Sequence, residues 1–212
     1  MSTQAGNKVN LSMSVSADGF VAGPNQDEDN PLGVGGIELH RWHIDEGPES
    51  GGHPVNKQVM SEMMDGMGAF IMGRNMFGPI RGEWGDSDWK GWWGDDPPYH
   101  APTYVLTHHA HDPIEMEGGT TFHFVTDGIE TALERAFAAA GGKDVSLGGG
   151  AETAQQYLRA GLIDELEIHV VPLILGGGAR LFENLDGGPT GYECVGLESS
   201  PAVAHFTFVR AR

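Results

Sequence analysis

The sequence of 212 residues holds a single cysteine, Cys194, and few basic residues. One cysteine excludes an internal disulfide framework and a zinc site built from cysteines. The 12 Lys and Arg residues stand against 30 Asp and Glu, which gives a formal net charge of −18. Binding to nucleic acid or to an anionic membrane surface depends on clustered Lys and Arg. We therefore expect neither kind of partner.

Long apolar stretches are also missing. No run approaches the roughly 18 apolar residues that a bilayer-spanning helix needs. The first residues do not combine a basic start with an apolar stretch, so no secretory leader is expected. We therefore predict a cytoplasmic protein. Because the length is near the usual size of one domain and no linker divides the chain, residues 1–212 are predicted to form a single domain, with residues 1–7 disordered.

Short apolar runs alternate with helical patterns along the middle of the chain. Alternating apolar and polar residues predict a strand over Val9–Val15, and the clearest helix spans Ile129–Ala140 with Asp127 as its cap. The chain ends in a predicted hairpin of Tyr192–Leu197 and Val203–Val209. Further predicted elements are helices over 56–67 and 151–159 and strands over 69–72, 103–106, 121–125, 144–147 and 163–171. This alternation is typical of parallel βαβ units, so the fold class is a mixed α/β sheet with flanking helices.

A run of three glycines, Gly148–Gly150, joins a predicted strand to a predicted helix that starts at Ala151. Such a turn exposes backbone N–H groups at a helix N-terminus and lets a phosphate approach closely. Three glycines also occur in tight strand-to-helix turns that bind nothing. The sequence contains neither G-x-G-x-x-G nor G-x-x-x-x-G-K-[ST], so neither a Rossmann fingerprint nor a P-loop is indicated.

Arg74 follows a predicted buried strand that closes at Gly73. An arginine in that place, in a chain with few basic residues, is suited to binding an anion. The alternative is a surface ion pair with one of the many carboxylates.

Histidines and tryptophans form two further groups with open interpretations. His40 and His43 are spaced three apart near Asp45, and three more histidines follow a strand at 108, 109 and 111. A metal site on these residues is a minor alternative, because H-E-x-x-H is absent, and we predict no metal. The tryptophans between Trp84 and Trp93 could line a pocket for a planar ligand, cover a hydrophobic core or form a dimer surface.

Several segments, read in order, resemble one family. The Ala69–Arg74 segment matches an A-x-x-x-G-R strand-to-helix element. The segments that carry the resemblance are Met13–Ala22, Gly68–Phe77, Pro102–Thr107, Asp144–Thr153, Gly161–Gly176 and Gly178–Phe182. Together they resemble the dihydrofolate-reductase-like family, in the group that includes the reductase domain of the bacterial riboflavin-pathway deaminase-reductase. The resemblance covers roughly residues 8–210.

The resemblance implies a mixed, mostly parallel eight-stranded sheet with flanking helices and a C-terminal antiparallel hairpin, and NADPH lying across the carboxyl edge of the sheet. By position it assigns Ala17 and Gly19 to the nicotinamide, Gly73, Arg74, Asn75, Met76, Leu106, Thr107 and His108 to the adenosine and its 2′-phosphate, and Gly148, Gly149, Gly150, Ala151, Glu152 and Thr153 to the pyrophosphate. Relatives often carry a basic residue at the position of His108. A histidine is mostly neutral at pH 7, which weakens the expected selection of NADPH over NADH.

The implied activity is the transfer of a hydride from NADPH to a C=N or C=O bond of a small substrate, such as a pterin- or pyrimidine-like heterocycle. The proton that must accompany the hydride could come from Asp18, from Asp45 or from a bound water. Asp18-Gly19 is also a common turn sequence, so Asp18 has a purely structural alternative. The family further implies a homodimer. A second class of function is a nucleotide-binding sensor, or a degenerate paralogue, that binds the nucleotide without turnover.

Overall fold

The computed structural model describes residues 7–85, 88–185 and 191–211. The disorder predicted for residues 1–7 falls, apart from Asn7, outside the described residues. The strands are β1 (Val9–Ser16), β2 (Phe20–Ala22), β3 (Met67–Gly73), β4 (Pro102–Leu106), β5 (Ile114–Glu115), β6 (Thr121–Val125), β7 (Asp144–Leu147), β8 (Glu165–Val171), β9 (Ala179–Arg180), β10 (Tyr192–Ser200) and β11 (Val203–Arg210).

Within the described residues the main sheet has the strand order β10-β11-β8-β1-β7-β3-β4-β6-β5. Every pair from β8 across to β6 is parallel, whereas β5, β11 and β10 pair in the antiparallel sense. The predicted mixed, mostly parallel sheet with a terminal hairpin is therefore confirmed. The expected eight strands are joined by a ninth, because the two-residue strand β5 adds to the edge beside β6. The short strands β2 and β9, which the sequence did not predict as a pair, form a separate two-stranded sheet.

The helices are α1 (Arg41–Ile44), α2 (Pro54–Met64), α3 (Arg74–Phe77), α4 (Ile129–Ala139) and α5 (Ala151–Arg159), with short 3-10 turns at Gly36–His40 and Glu117–Gly119. The helix predicted over 56–67 starts two residues earlier and ends at Met64, because Gly66 takes a positive φ of 74° and β3 begins at Met67. A helix cannot continue through such a conformation.

The predicted cap of α4 is wrong. Gly128 occupies the position before the helix and no side chain caps it. The Asp127 carboxylate instead lies 3.3 Å from Arg135 Nη2, one to two turns along the helix. Asp127 does not cap because Gly128, with a φ of 92°, occupies the position directly before the helix, which leaves Asp127 one residue too early.

One face of the sheet carries the main apolar core. Alternate residues of the central strands, such as Val9, Leu11 and Leu147, are buried there with Ala132 of α4 and Tyr157 of α5. The period of two in β1 follows directly from side chains alternating between the faces of a strand.

The opposite face holds a buried polar group that we call the histidine cluster: His40, His43, His169 and His205, grouped around Trp42. The ring centroid of Trp42 lies 4.8–5.0 Å from those of His43, His169 and His205. The 3-10 turn Gly36–His40 and helices α1 and α2 cover this face with Leu39, Trp42 and Val59, respectively. This helical cover is therefore attached to the sheet through polar contacts as well as apolar ones.

Hydrogen bonds run in one direction through the histidine cluster. The amide of Asn56 donates to the backbone oxygens of Trp42 and Ser50, so its Oδ1 accepts from His205 Nε2 at 3.1 Å. Neutral His205 then accepts at Nδ1 from His169 Nδ1, 2.8 Å away. The remaining nitrogen, His169 Nε2, lies 2.8 Å from Ser12 Oγ, which donates to it. The bond between the two Nδ1 atoms requires His205 to be neutral, because a second proton on that ring would occupy the accepting nitrogen.

The tryptophan-rich segment covers the far part of the same face. Trp84 is buried against Phe77, and Trp93 stacks on Phe122. Of the three interpretations of these tryptophans, the structure supports the hydrophobic cover, because their rings point into a core shared with Met72. Among the described residues, no helix is long and apolar enough to cross a bilayer.

Candidate functional site

Four neighbouring parallel strands end at one edge of the sheet, and the predicted cofactor-binding segments stand there. The strands β1, β7, β3 and β4 are adjacent in that order. The segments are Ala17–Gly19 after β1, Gly148–Thr153 after β7, Gly73–Met76 at the end of β3 and Leu106–His108 at the end of β4. Crevices at the carboxyl ends of parallel strands are the usual ligand sites of open α/β sheets. The structure thus brings all four segments to one edge.

The glycines at the centre of this edge allow two segments to touch. The Gly148 N–H donates to Ile71 O at 2.9 Å, and the Gly73 N–H donates to Gly149 O at 2.7 Å. A side chain on Gly73 would overlap Thr153 Oγ1. Glycine is therefore required at position 73 for steric reasons, and the two turns form one surface.

The N-terminus of α5 opens onto that surface. Gly150, joined to Gly149 by a cis peptide bond, precedes the helix and no side chain caps it. A Cβ on Gly150 would meet no described atom within 4 Å, so the space beside it is open. The uncapped N–H groups and the helix dipole suit an anion. Glu152 stands in the first turn and partly offsets this positive potential.

Arg74 lies at the β3–β4 end of the edge, and its guanidinium group stacks on Trp84. Its Cζ is 3.7 Å from the centroid of the indole ring, and Nη1 donates to Thr107 Oγ1 at 3.3 Å. Burial lowers the pKa of Arg74, and nearby Arg81 lowers it further, while Glu83 opposes both. The group nevertheless stays charged, because an arginine pKa lies far above neutrality. The Nε and Nη2 atoms are shielded from solvent and have no hydrogen-bond partner among the described residues.

Asp18 lies at the β1 end, and the chain itself satisfies its carboxylate. Oδ1 accepts from Ser16 Oγ at 2.6 Å and from the Leu175 N–H at 3.0 Å, and Oδ2 accepts from the Gly176 N–H at 2.7 Å. These bonds, that of Ser16 first, lower the pKa of Asp18 from 3.8 to about 2. The carbonyl of Asp18 accepts from Arg180 Nη1 at 3.0 Å. A carboxyl group with so low a pKa is ionised at neutral pH and holds no proton to donate.

Asp45, the other predicted proton donor, follows α1. Its carboxylate lies 3.4 Å from Arg41 Nη1 of the same helix, and its backbone oxygen accepts from the Gly51 N–H and from Ser50 Oγ. No hydrogen bond among the described residues joins Asp45 to the four segments. Asp45 follows a helix that covers the histidine cluster, and its role as a proton donor stays a prediction.

The remaining histidines separate into two places. His40 Nδ1 and His43 Nε2 are 3.1 Å apart within the histidine cluster, and burial lowers both pKa values, that of His40 to about 4. His109 Nδ1 lies 3.0 Å from Glu83 Oε1 beside the Arg74 site, and His108 is exposed next to it. Among the described residues no three His, Cys, Asp or Glu side chains are grouped so that they could hold a metal ion.

Two cavities, of about 290 Å³ and 450 Å³, lie at the opposite edge of the sheet. The first is lined by residues at the starts of strands, among them Lys8, Asp144 and Glu165, and the second by Gly68 and Pro102. Neither contains any of the predicted site residues, so we place the candidate site on the shallower surface at the carboxyl edge.

Three features of the site have no local signal in the sequence. Trp84 meets Arg74 across an irregular loop, and Met13 approaches Gly149 from β1. The loop that follows β8 and contains Leu175 reaches Asp18, which follows β1. Each contact joins segments that are distant in sequence, so only the folded sheet brings them together.

A family model described as the RibD C-terminal domain matches residues 7–202, which is nearly the whole chain. The chain belongs to the RibD C-terminal domain family. No curated protein sequence matches it.

Solved structures with the same fold include a protein from Shewanella sp. PV-4 assigned to riboflavin biosynthesis, at 22% identity and a TM-score of 0.63 over 97% of this chain and 99% of that one. Dihydrofolate reductase from Enterococcus faecalis, complexed with NADP(H) and RAB-propyl, aligns at 16% identity and a TM-score of 0.56 over 97% of both chains.

A third similar structure is larger than this chain. The diaminohydroxyphosphoribosylaminopyrimidine deaminase/5-amino-6-(5-phosphoribosylamino)uracil reductase from Thermotoga maritima aligns at 15% identity and a TM-score of 0.61, over 97% of this chain but 57% of that one. At these identities the three structures establish the fold of this RibD C-terminal domain, which is the dihydrofolate-reductase-like fold expected from the sequence.

Proposed function

We propose that this chain is an NADPH-dependent reductase that delivers a hydride to a C=N or C=O bond of a small, pterin- or pyrimidine-like heterocyclic substrate. The observation that carries the proposal is the meeting of four segments at the carboxyl ends of β1, β7, β3 and β4, with an uncapped helix N-terminus and an arginine whose hydrogen bonds are incomplete. Family membership supports the same reaction class.

The residues present fit a nicotinamide dinucleotide. The open space at Gly150 and the N–H groups of α5 suit a pyrophosphate, and Arg74 suits a 2′-phosphate. When bound, the cofactor supplies the hydride, while the protein orients it and excludes water. Leu106 and Thr107 would border the adenosine, and Ala17 and Gly19 the nicotinamide.

The proton does not come directly from the Asp18 carboxylate, since that group is ionised and hydrogen-bonded within the chain. A water held near the β1–β2 turn fits this geometry better than direct donation from Asp18. Asp18 then acts by fixing the Leu175–Gly176 loop beside the site.

Calorimetric titration with NADPH and NADH tests the proposal, followed by a substrate panel monitored through the loss of reduced-nicotinamide absorbance. Wild type should bind NADPH more tightly than NADH. Arg74→Leu should weaken NADPH binding about 10- to 100-fold, which corresponds to the free energy of charge-assisted hydrogen bonds, and should leave the affinity for NADH unchanged. Arg159→Leu, at the far end of α5, removes the same charge and should change neither. Failure of the wild type to bind either nucleotide at millimolar concentration would contradict the proposal.

A nucleotide-binding protein without turnover is the second candidate function. The engaged state of Asp18 favours it, because the predicted proton donor is then unavailable. Tight NADPH binding with no cofactor oxidation against any C=N or C=O substrate of the panel would select this candidate over the reductase.

Two further expectations stay predictions. The structure buries much of the tryptophan-rich segment, so a homodimer, if it forms, would use other apolar surface. The exposed side chains of Val195 and Leu197 on the edge strand β10 are the surface that we propose for it. Light scattering of wild type and of Leu197→Glu would test this. The cytoplasmic location also stays a prediction.

A further inference from the structure

Trp84 is held rigidly beside the candidate site. Its indole N–H donates to His109 O at 2.9 Å, and its ring stands nearly perpendicular to those of Phe77, Phe124 and His111 at centroid distances of 5.0–6.0 Å. Only 9% of the residue is exposed. A ring held by these contacts and through its polar atom can present a face as a platform, and the guanidinium of Arg74 lies over the ring.

The platform leaves one particular edge of Arg74 without partners. Nη1 is used by Thr107 Oγ1 at 3.3 Å. Nε and Nη2 have no partner among the described residues and almost no exposed surface. Buried N–H groups of a cation are costly unless they are hydrogen-bonded, so this edge is suited to a ligand that supplies acceptors.

The Nε–Nη2 edge has the geometry of a fork for two oxygens of a phosphate or carboxylate. Stacking leaves these N–H groups without an intramolecular bond, because an aromatic face attracts the guanidinium without using its in-plane N–H groups. Because the edge is shielded, an anion that pairs with it must displace the groups that cover Nε and Nη2, while Arg74 keeps its place on the indole face.

We propose that Trp84 is a positioning residue that orients the Nε–Nη2 edge of Arg74 toward the 2′-phosphate of NADPH and so sets the selectivity for NADPH over NADH. This inference rests on the proposed function, since it concerns the same site. Trp84 does not itself contact the phosphate. It holds the arginine in one orientation and, through His109 O, ties the segment after β4 to the loop after α3.

The test measures the ratio of the NADPH and NADH dissociation constants by calorimetry. Trp84→Leu removes the platform and should lower the selectivity for NADPH about tenfold, within the range of a desolvated cation–π contact. Trp84→Phe keeps an aromatic face but loses the indole N–H, so a smaller drop is expected. Trp93→Leu, a matched change in the same core, should keep the wild-type ratio, since Trp93 packs on Tyr99 and Phe122.

The outcomes separate this inference from the proposed function. Wild type that binds neither nucleotide overturns the proposed function and the inference with it. Wild type that prefers NADPH, with both Trp84 variants at the same ratio, overturns the inference alone, and so does wild type that binds both nucleotides equally. A drop caused equally by Trp93→Leu would assign the effect to general loosening of the core and also overturn it. If thermal denaturation shows that Trp84→Leu is unfolded, the Trp84→Phe ratio decides.

Discussion

Asp18 and Arg74 carry opposite charges at the two ends of one sheet edge, and their surroundings differ. The Asp18 carboxylate accepts hydrogen bonds from Ser16, Leu175 and Gly176 within the chain. The guanidinium of Arg74 has one long bond, at 3.3 Å, and two nitrogens, Nε and Nη2, without described partners. A charge that the chain satisfies fixes the backbone around it, whereas a charge left incomplete indicates where a ligand supplies the missing partners.

The largest effect is expected at Gly73, where the end of β3 meets the start of α5. In Gly73→Ala the new methyl group would overlap Thr153 Oγ1, and Thr153 is buried at the start of α5. Overpacking of this kind typically costs about 1–3 kcal/mol. We expect urea denaturation to show that loss and calorimetry to show no NADPH binding.

The double variant Gly73→Ala/Thr153→Ala is the control, because it removes the atom that the methyl group meets. It should regain most of the lost stability. If Gly73→Ala is as stable as wild type, the contact between the β3 turn and α5 is looser than the structure has it.

Local patterns allowed much of the edge to be predicted from the sequence. The strands β3, β4 and β7 are short apolar runs, and the first and last of them close at glycines, so the positions of Gly73 and Gly148 followed from the chain alone. Because neighbouring parallel strands end on the same side, the segments after them had to meet once the strand order was known.

Pairings between distant segments could not be predicted. His169 lies on β8, where the nearby residues Glu165 and Glu167 are also polar. No local pattern indicates that His169 faces His205 across the β8–β11 pair. The stacking of Arg74 on Trp84 likewise depends on an irregular loop. Tertiary context alone fixes which polar side chains meet.

Asp18→Asn tests the satisfied end and should have a smaller effect than Gly73→Ala. The amide keeps one acceptor oxygen but places a donor group against a backbone N–H, so at least one of the bonds from Leu175 or Gly176 is lost. We expect the melting temperature to fall by a few degrees and proteolysis of the loop that contains Leu175 to become faster.

NADPH affinity separates the two ends in this variant. Since Asp18 faces the chain rather than the 2′-phosphate, Asp18→Asn should leave the ratio of NADPH to NADH binding unchanged, in contrast to Arg74→Leu. A loss of that selectivity in Asp18→Asn would mean that the two ends are not independent. A turnover that falls strongly with unchanged stability would restore Asp18 as the proton donor.

The comparison of Asp18 with the histidine cluster has the smallest effect at neutral pH, because it appears only on acidification, as a dependence of the free energy of unfolding on pH. Burial lowers the pKa of His169 from 6.5 to about 3 and that of His205 to about 4. The unfolded chain therefore binds more protons than the folded one below pH 6.5, and the free energy of unfolding should fall as the pH drops from 6.5 toward 4. Protonation of His205 would also remove the acceptor nitrogen on which the bond between the two rings depends.

Asp18, with a pKa of about 2 in the folded chain against 3.8 in the unfolded chain, adds a second decline in the free energy of unfolding between pH 3.8 and 2. Urea denaturation at stepped pH should show both declines in wild type, only the first in Asp18→Asn, and a shallower first decline in His205→Gln. A stability that is flat between pH 6.5 and 4 would contradict the neutral, directional hydrogen-bond chain from Ser12 to Asn56.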